Sequence, residues 1–118
     1  MSSHLILGET GEDIAAQYLA NQGYEILQRN WRCKIGEIDI IALDGDEVVF
    51  VEVKCRSGKG FGDPLEAITY AKMAKIRQLA AIWLRECDIY IPSARIDGIG
   101  VLKIRGSSPR ITHIARIG

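Results

Sequence analysis

The sequence predicts an α/β domain with a mixed central sheet flanked by helices, and three observations carry that expectation. Two segments space their apolar residues as helices do, several others are dense in β-branched residues, and Asp44-Gly45-Asp46 joins two of the latter. A D-G between such runs marks an antiparallel hairpin, whereas a strand, a crossover helix and a further strand make at least one parallel pair.

The first helix is expected over residues 8–22, where Ile14, Ala15, Tyr18 and Leu19 mark one face. Glu9, Glu12 and Asp13 load its first turns, and Gly23 supplies a stop. Residues 24–33 read as a β-like but irregular segment. Residues 36–43 and 47–56 form the hairpin strands. Residues 57–64 (SGKGFGDP) make a glycine-punctuated loop without the GK[ST] ending of a phosphate-cradling P-loop. The longest helical pattern covers residues 65–87, with Thr69 as an internal candidate N-cap. A β-rich stretch over 95–105 and a last strand over 110–117 complete the order α-β-β-β-α-β-β.

The chain has 118 residues, with 15 Lys+Arg against 15 Asp+Glu, and 47% of it is hydrophobic. That length supports one domain with a hydrophobic core and leaves little room for a second. No apolar run approaches the ~20 residues that span a bilayer, and the opening MSSH does not start a secretory signal. Cys33, Cys55 and Cys87 form no C-x-x-C or Cys/His cluster, so the expectation is reduced thiols in a cytoplasmic protein. Zero net charge speaks against a basic nucleic-acid-binding domain, but it averages two opposites. Residues 1–52 carry ten acidic and three basic groups, and residues 53–118 carry five acidic and twelve basic ones. The basic half is able to line phosphates around the acidic one.

The hairpin puts charges among apolar neighbours. With Gly45-Asp46 as its loop, Asp39 stands opposite Glu52, and Glu52 and Lys54 share a face. Two opposed carboxylates repel by up to about 1 kcal/mol in a solvated sheet, and by more once desolvated. A divalent cation held by Asp39 and Glu52, or a shared proton, would compensate. A solvent-facing row of alternating charges is the bland alternative. Oxygen-only ligands favour a hard cation such as Mg²⁺, and a water bound to it would be acidified, with Lys54 to position it or stabilise developing charge. Glu12 lies at the edge of the apolar stripe of its helix. Lys72 interrupts the apolar line of the long helix near its start. Trp31 and Trp83 are expected in the core, and His4 and His113 have no partner visible in the sequence.

Asp39, twelve intervening residues and then Glu52-Val53-Lys54 on a hairpin after an acidic helix resemble the PD-(D/E)xK nuclease superfamily. The longer match is more diagnostic. It runs through G-x-x-G-E-x-x-A-x-x-Y-L (Gly8 to Leu19), G-Y-x-I-L (Gly23 to Leu27), R-N-W-R (Arg29 to Arg32) and G-E-I-D-I-I (Gly36 to Ile41). V-F-V-E-V-K (Val49 to Lys54), F-G-x-P (Phe61 to Pro64) and E-A-I-T-x-x-K (Glu66 to Lys72) continue it. Together these motifs resemble the YraN family of small bacterial proteins, which is similar in turn to archaeal Holliday junction resolvases.

The resemblance implies a restriction-endonuclease-like αβββαβ core in a single endonuclease-like domain over residues 1–118. It implies Mg²⁺ or Mn²⁺ held by Asp39 and Glu52, a catalytic Lys54, and Glu12 as an accessory acid or ligand. Arg56, Lys59, Lys72 and Lys75 are the expected nucleic-acid contacts. The implied function is metal-dependent hydrolysis of DNA phosphodiester bonds, with branched or recombination intermediates as substrates. The alternatives are a non-catalytic nucleic-acid or protein binding module on the same fold, and a protein that uses the metal structurally. A junction substrate would favour a two-fold homodimer, with Phe50 and apolar residues of the C-terminal strands as candidate contacts.

Overall fold

The structure, a computed structural model, describes residues 10–57 and 68–117. Helix α1 (Gly11–Asn21) opens on a capping box. Thr10 Oγ1 accepts from the Asp13 amide at 3.1 Å, and the Asp13 carboxylate accepts from the Thr10 amide at 3.3 Å. This reciprocal pair makes Thr10, rather than Gly8, the start of the helix, because it satisfies amides that have no intrahelical partner. Gly23 (φ +95°) turns the chain into β1 (Glu25–Arg32).

Strands β2 (Glu37–Asp44) and β3 (Glu47–Ser57) form the hairpin, closed by the Asp44–Glu47 pair with Gly45-Asp46 as its loop. Gly45 takes φ +66°, the left-handed conformation that glycine enters without steric cost and a twisted hairpin needs. Helix α2 (Tyr70–Glu86) starts from Thr69, whose hydroxyl accepts from the Lys72 amide at 3.2 Å. The expected loop with Lys59 and Phe61, and the helical stretch before Ile68, lie outside the described residues. Strands β4 (Ser93–Lys103) and β5 (Arg110–Ile114) follow.

The sheet order is β1-β2-β3-β4-β5, antiparallel throughout except for the parallel β3–β4 pair made by the α2 crossover. This is the expected mixed sheet, compatible with a restriction-endonuclease-like core. Ala15 and Leu19 of α1 pack on Ile40, Ala42, Val49, Val51, Ile99 and Val101. On the other face, Met73, Ile76, Leu79 and Ala80 of α2 cover Ile38, Ile41, Val48, Phe50 and Ile96. Burying each such Leu or Ile contributes about 1.5–3 kcal/mol, so both helices are anchored by their apolar stripes. Phe50 is 1% exposed in this second layer, which removes it from any dimer interface. Trp83 packs its ring edge-on against Phe50, and both Trp31 and Trp83 are half-buried at the border of this cluster rather than inside the core where they were expected. No helix among the described residues is long and apolar enough to cross a membrane.

Candidate functional site

The hairpin ladder ends one step before the expected Asp39–Glu52 pair. Its last partners are Ile40 and Val51, and beyond them the Val53 amide donates to Asp39 Oδ2 at 2.8 Å. A carboxylate thus replaces the backbone carbonyl that would have continued the ladder. Strand β3 does not fray there, because β4 stays paired with it as far as Ser57–Lys103. The alternation of β2 also breaks at this point. Ile38 and Ile41 both pack towards α2, whereas Ile40 packs towards α1. On β1, Asn30 falls between the Arg29–Ile40 and Trp31–Ile38 pairs, at the level of Asp39 in the register, and its φ is +53°.

Asp39 and Glu52 line one open cleft of about 550 Å³ with Glu37, Thr69, Lys72 and Lys75, roofed by the first turns of α2. The Glu52 side chain is 6% exposed, and its Oε2 lies 3.7 Å from Lys54 Nζ and 3.4 Å from Lys72 Nζ. Lys72 interrupts its apolar stripe because it turns towards this buried carboxylate. Lys75 Nζ donates to the Ile35 carbonyl at 3.3 Å on the cleft wall. Arg56 lies on β3 two residues beyond Lys54, and Lys59 is outside the described residues.

Helix α1 brings a further carboxylate. Single oxygens of Glu12, Glu37 and Asp39 lie within 4.8 Å of one another. Glu12 Oε1 accepts from Arg29 Nε at 3.0 Å and Nη2 at 2.8 Å, and its Oε2 accepts from Asn30 Nδ2 at 2.7 Å. The same amide donates to Glu37 Oε2 at 2.8 Å. Burial pushes the Asp39 carboxyl up to about 6, the Val53 amide pulls it back, and the negative charges of Glu52, Glu12 and Glu37 raise it again. The Asp13 carboxyl moves the opposite way, held below its usual range first by the Arg29 hydrogen bond.

The convergent carboxylates are therefore Glu12, Glu37 and Asp39, with Glu52 across the same cleft beside two lysines. Asp39, Glu52, Lys54, Glu12 and Lys72, the constellation expected from the sequence, come to one end of the β2–β3 pair. Glu37 and Asn30 join them unexpectedly; their only signals in the sequence are the spacing of Glu37 two residues before Asp39 and the irregularity of residues 24–33. Crowded oxygen donors with an Asp39 that resists ionisation suit a hard divalent cation, which would relieve the repulsion.

A second polar cluster lies under α1, remote in sequence and invisible to spacing arguments. Asp97 is fully buried and accepts from Arg95 Nε at 2.9 Å and from the Arg116 amide at 3.1 Å. It also pairs at 2.7 Å with His113 Nε2, while His113 Nδ1 bonds to Tyr18 Oη at 3.0 Å. Arg95 further reaches Glu47 at 2.7 Å and the Tyr24 hydroxyl at 2.8 Å. Counted in the sequence among the phosphate-lining cations, Arg95 is instead consumed in tying β3 to β4. His113 likewise has the partners that the sequence hid.

Residues 11–101 match the family model described as Uncharacterised protein family UPF0102, a stretch that contains Glu12, Asn30, Asp39, Glu52, Lys54 and Lys72. A UPF0102 protein of Mycolicibacterium smegmatis is 52% identical, over 95% of this chain and 92% of its own length. One of Rhodococcus opacus is 47% identical over 97% of both chains, and one of Arthrobacter sp. (strain FB24) is 45% identical over 96% of both.

Proposed function

From the premise that this chain belongs to the UPF0102 family, the YraN family its motifs resemble, we propose that it is a metal-dependent endonuclease acting on DNA. The observation that carries the reading is the approach of Glu12, Glu37 and Asp39 oxygens within 4.8 Å, beside the Glu52–Lys54–Lys72 group. Asp39 and Glu52 would hold Mg²⁺ or Mn²⁺, with the Glu12 and Glu37 carboxylates beside Asp39 as further oxygen donors. A cation bound there supplies Lewis acidity that acidifies water and neutralises charge developing on the phosphate.

The chain's own residues supply the rest. Lys54 Nζ, 3.7 Å from Glu52 Oε2 and only partly exposed, would orient a water or stabilise the developing negative charge. Lys72 and Lys75, on the roofing turns of α2, would contact the backbone of a bound strand, and Arg56 on β3 would add to that contact. Arg29 holds Glu12 in place through a two-nitrogen contact. Branched or recombination-intermediate DNA, a homodimer to cut its two symmetric strands, and a cytoplasmic setting with free Cys33, Cys55 and Cys87 belong to the same reading.

The test is to incubate the wild-type protein, Asp39→Asn and Glu52→Ala with linear, flap and four-way junction DNA plus Mn²⁺. Cleavage by wild type alone is expected. Equal DNA binding by all three proteins with no cleavage by any would make the protein a binding module instead.

A further inference from the structure

We infer that Asn30 belongs to the cation site: its amide, whose NH₂ end bridges Glu12 and Glu37, turns over to offer Oδ1 when a divalent cation binds. This rests on the cation site proposed above and extends it to a residue of the R-N-W-R motif.

Three features of the structure meet at this side chain. Its Nδ2 donates to Glu12 Oε2 at 2.7 Å and to Glu37 Oε2 at 2.8 Å, so one NH₂ group spans carboxylates from α1 and β2. Its backbone takes φ +53° inside a strand, a conformation that costs most residues energy and that asparagine tolerates best among side chains with a Cβ. It also lies between the Arg29–Ile40 and Trp31–Ile38 pairs, at the level where the alternation of β2 breaks. The left-handed backbone is thus what aims the amide into the carboxylate group.

An amide has a donor end and an acceptor end of nearly equal shape. Facing bare carboxylates, only the NH₂ end is attractive, since Oδ1 would add a fourth oxygen dipole to the repulsion. Facing a cation among those carboxylates, the preference inverts, and Oδ1 becomes a neutral oxygen ligand of the kind hard cations accept. A rotation of the side chain by half a turn exchanges the two states without moving the backbone. Asn30 therefore lowers the repulsion between Glu12 and Glu37 and adds a donor once a cation binds.

The experiment uses Mn²⁺ as the probe and titrates it into the full chain by calorimetry, comparing wild type, Asn30→Gly, Asn30→Asp and Asp39→Asn. Glycine accepts φ +53° without strain, so Asn30→Gly removes the amide and keeps the backbone, which its circular dichroism verifies. Asn30→Gly should bind Mn²⁺ about 10-fold more weakly, the lower end of the range for supporting groups around a metal, and Asn30→Asp should bind more tightly than wild type. Addition of Mg²⁺ should also shift the Asn30 side-chain amide pair in a ¹⁵N–¹H spectrum. Unchanged Mn²⁺ affinity in Asn30→Gly, with Asp39→Asn losing it, overturns the role of Asn30 and leaves the cation site standing. Absence of Mn²⁺ binding by wild type overturns both. Mn²⁺ binding with the expected variant pattern but no DNA cleavage upholds the inference and removes the nuclease reading.

Discussion

The Asp39 carboxylate accepts a 2.8 Å hydrogen bond from the Val53 amide, at the point where the β2–β3 ladder ends. A side chain has taken the place of a backbone acceptor, and that exchange opens the cleft in which Glu52 and the lysines of α2 meet.

Asp39 sets a pH dependence of stability. Its carboxyl is raised from 3.8 to about 6, so the folded protein holds this proton more tightly than the unfolded chain does. The stabilisation by the protonated form is complete below about pH 4 and is lost as pH rises through 6, at an accumulated cost of about 3 kcal/mol by linkage. Asp39→Asn keeps an oxygen for the Val53 amide and removes the charge. Urea unfolding in EDTA should show the variant more stable than wild type at pH 7 and level with it at pH 4. Parallel pH profiles would refute the assignment.

Lys72 should matter more for DNA than for the fold. Its 3.4 Å pair with Glu52 is nearly half exposed on the lysine side, which limits its stability contribution to about 1 kcal/mol or less. Lys72→Ala should therefore melt near wild type. In anisotropy titrations it should bind DNA more weakly, and the slope of log affinity against log salt should fall by about 1. An unchanged slope would take Lys72 out of the DNA path.

Gly11 sets the seat of α1 on β3. A Cβ built there would lie 2.6 Å from Cys55 Cβ and 2.7 Å from its Sγ, so Gly11→Ala forces the helix carrying Glu12 off the strand carrying Glu52 and Lys54. The overpacking should cost about 1–3 kcal/mol in thermal unfolding. Cys55→Ala should not rescue it because the Cβ remains, whereas Cys55→Gly should.

Asp97→Ala should be the most destabilising of these changes. It strips a fully buried partner from Arg95 and His113, and breaking a buried pair from one side typically costs about 3–5 kcal/mol. Denaturant midpoints measure it, and combination with His113→Ala should be clearly non-additive, since the two side chains share one contact. Additive losses would show that they act separately.

The elements and the hairpin register were legible because both are local. The D-G loop and the alternation of Val, Ile and Phe place Ile41 against Phe50 whatever the rest of the chain does. Lys72 was legible as a break in a helical stripe, and Glu12 as a charge at its edge. The ladder's end at Asp39 was not, because only β4, arriving from the far side of α2, keeps β3 straight while β2 leaves it. Nor was the Asp97–His113–Tyr18 chain, whose members come from β4, β5 and α1.

The sequence by itself determined the α/β class and the hairpin, because short-range periodicity and turn chemistry act between residues close along the chain, and its motifs carried the resemblance to the family. Tertiary structure decided which charges meet. It drew Glu37 and Asn30 into the acidic group, set Glu52 between two lysines, and committed Arg95 and Asp97 to the core. Those outcomes depend on where separate strands and helices come to rest, since a charge finds its partner across space and burial decides how much that partner is worth.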